Sequence, residues 1–129
     1  MRLLVKITAL GIGLLFLCYF IVRIWTVGVL EHRIASAKSN YSGTAEDALI
    51  EMLKDETISA RDKTHIAVWT LGQIRADNAL PVLKELYKND PEGLTCYRKH
   101  DTEICQYELY KAIQSIEGKT LLSFSYLNN

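Results

Sequence analysis

RDKTHIAVWTLGQIRADNALPVLKEL, residues 61–86, decides the fold. Ile66, Ala67, Thr70, Leu71 and Ile74 recur at helical spacing and form one inward stripe, with Trp69 beside it. Gly72 lies in the same helix, where its missing side chain lets a neighbouring helix approach, at a propensity cost of about 1 kcal/mol against alanine. The polar break after Ile74 is short. Asp77 or Asn78 then stands where a cap is needed for a second helix carrying Leu80, Val82, Leu83, Leu86 and Tyr87. Pro81 is compatible with that helix because it falls in the first turn. The stretch therefore predicts helix, tight turn, helix.

Working outward, TAEDALIEMLKD from Thr44 pairs Thr44 with Asp47 as a capping box and sets Ala45, Ala48, Leu49, Met52 and Leu53 on one face. Ser59 with Asp62 opens the next helix in the same way. On the other side, Asn89-Asp90-Pro91-Glu92-Gly93 stops the helix through Leu86, and residues 94–100 are irregular. Asp101 is expected to cap a fourth helix whose inward positions are Cys105, Leu109, Ala112, Ile113 and Ile116. Gly118 ends it.

Upstream lies a different kind of sequence. From Leu3 to Leu30 the charged residues are Lys6 and Arg23, and ITALGIGLLFLCYFIV fills the 16 positions between them. At a rise of about 1.5 Å per residue the two cations stand roughly 26 Å apart, so each reaches one face of a ~30 Å hydrocarbon core. Trp25 then falls at an interface, which suits its amphipathic ring. Residues 1–37 are expected to form a transmembrane and juxtamembrane helix that meets lipid through residues 3–30. Residues 38–43 follow as a linker, 44–118 as the helical domain and 119–129 as a tail.

Three rivals meet obstacles. A signal peptide cleaved at Ala35-Ser36-Ala37, leaving a secreted domain, has a long apolar run and has Arg23, Glu31, His32 and Arg33 intervening. A lipoprotein reading at Cys18 lacks small residues, since Phe16 and Leu17 precede it. A soluble core helix would need covering on all sides by a very small domain.

The 129 residues carry 15 basic and 15 acidic side chains, but the balance is uneven. Arg2, Lys6, Arg23 and Arg33 against Glu31 leave residues 1–37 at +3, while 11 basic and 14 acidic residues leave the rest at −3. The soluble part has no basic stripe to neutralise phosphates, which argues against nucleic acid. The basic excess sits beside the apolar run, where anionic lipid is the natural partner.

The helix pairs also repeat. AEDAL at 45–49 matches ADNAL at 76–80, 31 residues on; Ala67, Thr70, Leu71 and Ile74 match Leu109, Ala112, Ile113 and Ile116, 42 residues on. The second unit thus carries eleven extra residues in its inner loop, Cys96 among them. On Ala67, Leu71, Gly72, Ile74, Asp77, Ala79, Leu80, Pro81 and Leu83, residues 61–86 resemble a HEAT repeat of the short bacterial kind first associated with phycobilisome lyases. Arg61 matches the arginine usual early in the second helix. The resemblance covers residues 44–88 well and 102–118 loosely.

That resemblance implies an α-solenoid used as a protein-binding surface; together with the apolar run, the expectation is an all-α fold, an N-terminal transmembrane helix followed by a small two-unit HEAT-like α-solenoid of four helices. Its core is expected at Ala48, Leu49, Leu53, Ala67, Leu71, Ile74, Leu80, Leu83, Leu109, Ile113 and Ile116. Two units are fewer than the three or so that normally bury a continuous core. The juxtamembrane helix is therefore expected to close one end and Thr120–Leu127 to fold back over the other. Left exposed, Leu122, Phe124 and Tyr126 would make an adhesive strand-like segment.

Cys96 and Cys105 are expected to pair in an oxidising compartment. Closing so short a loop contributes roughly 2.5–3 kcal/mol on a chain-entropy account. The alternative is a metal such as zinc on Cys96, His100 and Cys105 with Asp101 or Glu103. Its spacings of three and four intervening residues lack the two close ligand pairs of structural zinc sites. Thiol oxidoreductase chemistry lacks a C-x-x-C. Ser59, Asp62 and His65 share one segment as a cap and neighbours on successive turns, which is no nucleophilic triad. No catalytic residue or cofactor is assigned. Tyr97, Tyr107 and Tyr110, with Phe124 and Tyr126, are the candidate binding surface. The expectation is a bacterial single-pass inner-membrane protein whose periplasmic domain binds a protein of unknown identity; the alternative is a metal-binding sensor or enzyme at the cysteine loop.

Overall fold

The computed structural model describes residues 2–96 and 102–119, with residues 2–10 and Thr95 described by backbone alone. Among these residues the protein is all-helical, with five helices and no strand. They are α1 (Arg2–Asn40), α2 (Ala45–Lys54), α3 (residues 60–74), α4 (Leu80–Leu86) and α5 (Gln106–Ile116). The chain divides into two compact units, Met1–His32 and Arg33–Asn129.

The first unit is the apolar part of α1. The large side chains Ile12, Leu14, Leu15, Phe16, Leu17 and Phe20 are all more than half exposed, so no protein surface covers them. Among the described residues this is the one helix long and apolar enough to cross a membrane. A helix suits such a sequence because it satisfies every backbone polar group internally. Thr26 follows the same logic, its hydroxyl donating to the Val22 carbonyl at 2.8 Å.

The second unit begins inside α1. Ala37 is buried in the core, and Ile34 and Tyr41 pack against it. The segment 38–43 is thus only partly a linker, because the helix continues to Asn40 and the chain turns at Gly43, whose φ is +106°. The Tyr41 hydroxyl donates to Asp55 at 2.6 Å, tying the end of α1 to the end of α2.

α2 starts with the capping box read from the sequence: the Asp47 N–H donates to Thr44 Oγ1 and the Thr44 N–H to Asp47 Oδ2, both at 3.1 Å. Its Ala48, Leu49, Ile50, Met52 and Leu53 are buried. α3 is composite: Ala60–Asp62 is α-helical, Lys63–Val68 takes the wider π form, and Trp69–Ile74 returns to α. Ser59 caps it by accepting the Asp62 N–H at 3.1 Å.

Arg75 ends α3 in the left-handed region, φ 53°. A short 3-10 turn, Asp77–Ala79, then leads into α4. Asp77 and Asn78 do not act as its cap. Instead Asn78 donates its own N–H and its amide Nδ2 to the Glu46 carboxylate, at 2.8 and 3.1 Å, so the start of α4 is satisfied from the first turn of α2.

α3 and α5 pack against each other. A Cβ on Gly72 would lie 2.9 Å from Ala112 Cα, so α3 and α5 touch where glycine permits. Ser115 Oγ donates to the Gly72 carbonyl at 2.8 Å across this contact. Leu49, Leu71, Leu83 and Leu109, one from each helix of the two pairs, are fully buried. Of the expected core positions, Ile74 and Leu80 are the two left partly exposed at its margin.

Candidate functional site

The segment between α4 and α5 contributes little to the core: of its described residues only Cys105 is buried, with Ile104 and Tyr87 packed at the core's edge. It is held by three devices. Cys96 and Cys105 form a disulfide. Gly93, with φ +70°, wedges its backbone against the first turn of α5, where a Cβ would lie 2.7 Å from Tyr107 Cβ and 3.3 Å from Cys96 Sγ. Buried Gln106 accepts the Lys88 N–H at 2.6 Å and donates to the Leu86 carbonyl at 3.3 Å, joining both ends of the segment.

Cys105 is also the residue at which α5 starts. Its sulfur gives no capping bond, and its N–H donates to Thr64 Oγ1 at 3.1 Å; that hydroxyl in turn donates to the Ala60 carbonyl. The start of α5 therefore falls four residues beyond the Asp101 cap read from the sequence, and Asp101 itself lies outside the described residues.

On this framework Leu94 is 74% exposed and Tyr107 43%. Among the described residues they are the exposed large apolar side chains of the second unit, and Gly93, next to Leu94 in the chain, abuts Tyr107. Lys111 lies 4.7 Å from the Tyr107 ring and pairs with Glu108 at 2.8 Å. Tyr110 does not join this patch, since its half-buried ring faces Tyr87 at 6.2 Å. Tyr97, His100, Phe124 and Tyr126 lie outside the described residues.

Two hollows flank α3. An open cleft of about 520 Å³ is lined by Glu56, Thr57, Ser59, Lys63, Thr102 and Ile104. Its hydroxyls are already engaged: Thr57 donates to Asp55 and Ser59 to Asp62. A smaller groove of about 80 Å³ runs between α3 and α5 past Trp69, Gln73, Glu108 and Lys111.

Neither hollow assembles a nucleophile, base and orienting group. Ser59, Asp62 and His65 stand as a cap and an exposed helix face. With both sulfurs in a disulfide, Cys96 and Cys105 have no thiolate to offer a metal in this oxidation state.

Arg33 is the residue sequence reasoning missed. Its guanidinium lies 4.2 Å from the Trp69 ring and donates to the His65 carbonyl at 2.6 Å, and burial pulls its pKa below the ordinary arginine value. It fixes the end of α1 to α3. Its sequence signal was one member of the Glu31-His32-Arg33 run beyond the apolar segment, which gave no partner 32 or more residues away.

The geometry defines a class, an all-helical domain carried with a helix apolar and long enough to cross a membrane. No family model, curated protein or solved structure matches this chain.

Proposed function

We propose that this protein is a single-pass membrane protein whose helical domain, a two-unit HEAT-like stack, holds another protein. The supporting observation is the pairing of two features that serve nothing in the fold itself: an apolar helix covered by no protein surface, and an exposed Leu94–Tyr107 patch on a stapled loop. Each Leu, Ile or Phe moved from water to hydrocarbon gains about 1.5–3 kcal/mol, so lipid is the stable environment for the first. Rigid aromatic and aliphatic anchors on a pre-organised loop suit a protein interface, because little freedom is lost on binding. The disulfide favours an oxidising compartment, which for a bacterial inner-membrane protein is the periplasm.

Labelling of intact cells with a membrane-impermeant maleimide, before and after reduction, tests location and redox state together. Cys96 and Cys105 are expected to react from outside only after reduction. Reaction of both without reductant, or protection in intact cells after reduction, overturns the periplasmic reading. Photo-crosslinking from position 94 is expected to capture a protein, and replacing Tyr107 with Ser to abolish that adduct; unchanged capture overturns the patch as the contact.

A further inference from the structure

The fold gathers positive charge where no run of the sequence shows it. Arg61, His65 and Trp69 follow in steps of four along α3, and the π turn at Lys63–Val68, wider than an α turn, brings such steps into line. Arg61 and His65 are exposed and Trp69 is half-buried. Arg33, from the end of α1 that belongs to the same compact unit, lies over this line. Its guanidinium sits 4.2 Å from the Trp69 ring and donates to the His65 carbonyl at 2.6 Å. A ring and a neutral carbonyl hold the guanidinium in place without cancelling its charge. Asp62, beside Arg61 in the chain, already accepts the Ser59 hydroxyl at 2.8 Å.

The same face reaches the second hairpin. Trp69 and Gln73 of α3 and Glu108 and Lys111 of α5 wall the groove of about 80 Å³ between the two helices, with Gly72 and Ala112 meeting beneath. That groove has room for a side chain and not for a helix. Lys111 leads out of it, pairing with Glu108 at 2.8 Å and standing 4.7 Å from the ring of exposed Tyr107. From Arg61 to Tyr107 the surface therefore passes from cationic, through a ring and a groove, to apolar.

We propose that the protein partner presents an acidic, amphipathic segment to this face: carboxylates at Arg33 and Arg61, one side chain in the groove beside Trp69, and apolar side chains at Tyr107. The proposal rests on the reading that the domain holds a protein and adds the chemistry of what is held. Charge selects an acidic occupant, because a guanidinium held against a ring meets a carboxylate with little freedom lost. Residues 38–129 carry 11 basic and 14 acidic side chains, so the rest of the domain repels the same segment and directs it here. Continuity with Tyr107 requires apolar side chains as well, which separates this occupant from a layer of anionic headgroups.

The test titrates the full chain in phosphatidylcholine nanodiscs against two fluorescent peptides of one design, with Leu and Phe on one side and either Glu or Lys on the other, read by anisotropy. The Glu peptide is expected to bind ~10-fold more tightly than the Lys peptide and to weaken as salt is added. Arg61→Glu, at an exposed position, is expected to weaken it ~10-fold, whereas Lys38→Glu, the same charge change on another side of α1 from Arg33, leaves it unchanged. No binding of the Glu peptide, equal binding of the two peptides, or equal loss in the Lys38→Glu chain overturns the proposal. So does Arg61-dependent binding of added phosphatidylserine vesicles with no peptide bound, which assigns the face to lipid. Photo-crosslinking from position 94 that captures a protein equally well in the Arg61→Glu chain also overturns it, and leaves the protein-holding reading standing.

Discussion

The turn between α2 and α3 is five residues long, and the connection between α4 and α5 is nineteen. In the short one, Asp55 and Thr57 hydrogen-bond within the turn and Ser59 caps the next helix, so the turn is largely closed by its own residues. The long one borrows. It draws on Gln106 from α5, Thr64 from α3 and a covalent bond, and of its described residues only Cys105 is buried. A connection that cannot contribute core must be fixed by polar and covalent ties, and the side chains it displays are then free for other use. That contrast points to the second hairpin, more than the first, as the place of recognition.

Removing the covalent tie is the largest single perturbation of this contrast. Cys96→Ser with Cys105→Ser is expected to cost about 2.5–3 kcal/mol from loop-closure entropy. At roughly 4–8 °C per kcal/mol for a domain of this size, the melting midpoint should fall by about 10–20 °C. Circular dichroism of the chain in nanodiscs measures it, and hydrogen exchange locates it. Protection should fall first at residues 88–105 and the start of α5, while α2 holds. Uniform loss across all helices would break the distinction between the hairpins.

Polar ties rank next. Gln106→Ala leaves the Lys88 N–H and the Leu86 carbonyl without their partner in a part-buried site, an expected loss of about 1–3 kcal/mol. Thr44→Ala removes an exposed cap at about 1 kcal/mol. Chemical denaturation of both variants should therefore order them Gln106 above Thr44. The reverse order would show that the long connection leans on its amide less than the geometry requires.

Legibility in the sequence divides along the same line. Thr44–Asp47 and Ser59–Asp62 could be read because cap and helix lie three residues apart, and Gly72 because close approach needs only the glycine. The partner of Asn78 could not, since Glu46 is 32 residues away and no local pattern selects it over Asp77 as a self-cap. The start of α5 at Gln106 depends on a disulfide and on Thr64, both settled by tertiary contact. The π turn at Lys63–Val68 buries Thr64 and Val68 and leaves Ile66 only partly buried, a shift of the inward face that a fixed helical period does not report. Of the candidate site, the cysteine pair and Tyr107 were in view from spacing and residue type. Exposed Leu94 was not, because an apolar residue in an irregular segment carries no sign of which way it faces.

The smallest expected effect separates the hairpins by the kind of charge each uses. Asp55 is held down to about 2 by hydrogen bonds from the Thr57 hydroxyl, the Tyr41 hydroxyl and the Thr57 N–H. Glu117 is held down to about 2 by Lys119 and Lys84, whose side chains are 60% and 52% exposed. Both folded values lie below the ordinary 3.8 and 4.5, so each carboxylate contributes stability that is fully present above those values and is lost as pH falls toward about 2. Salt distinguishes them. Ion pairs with exposed ammonium partners weaken as salt is added and the screening length shortens from about 10 Å at 0.1 M, whereas bonds from neutral hydroxyl and amide donors do not. In an NMR titration of the side-chain carboxyls, added sodium chloride should move the Glu117 midpoint up toward its ordinary value and leave Asp55 nearly fixed. Tyr41, raised by its bond to Asp55, should likewise keep its elevated value in salt. Equal movement of the two carboxylates would mean that Asp55 is held by the charge of nearby Lys63 and not by its hydroxyl donors, and the first hairpin would then be no more self-sufficient than the second.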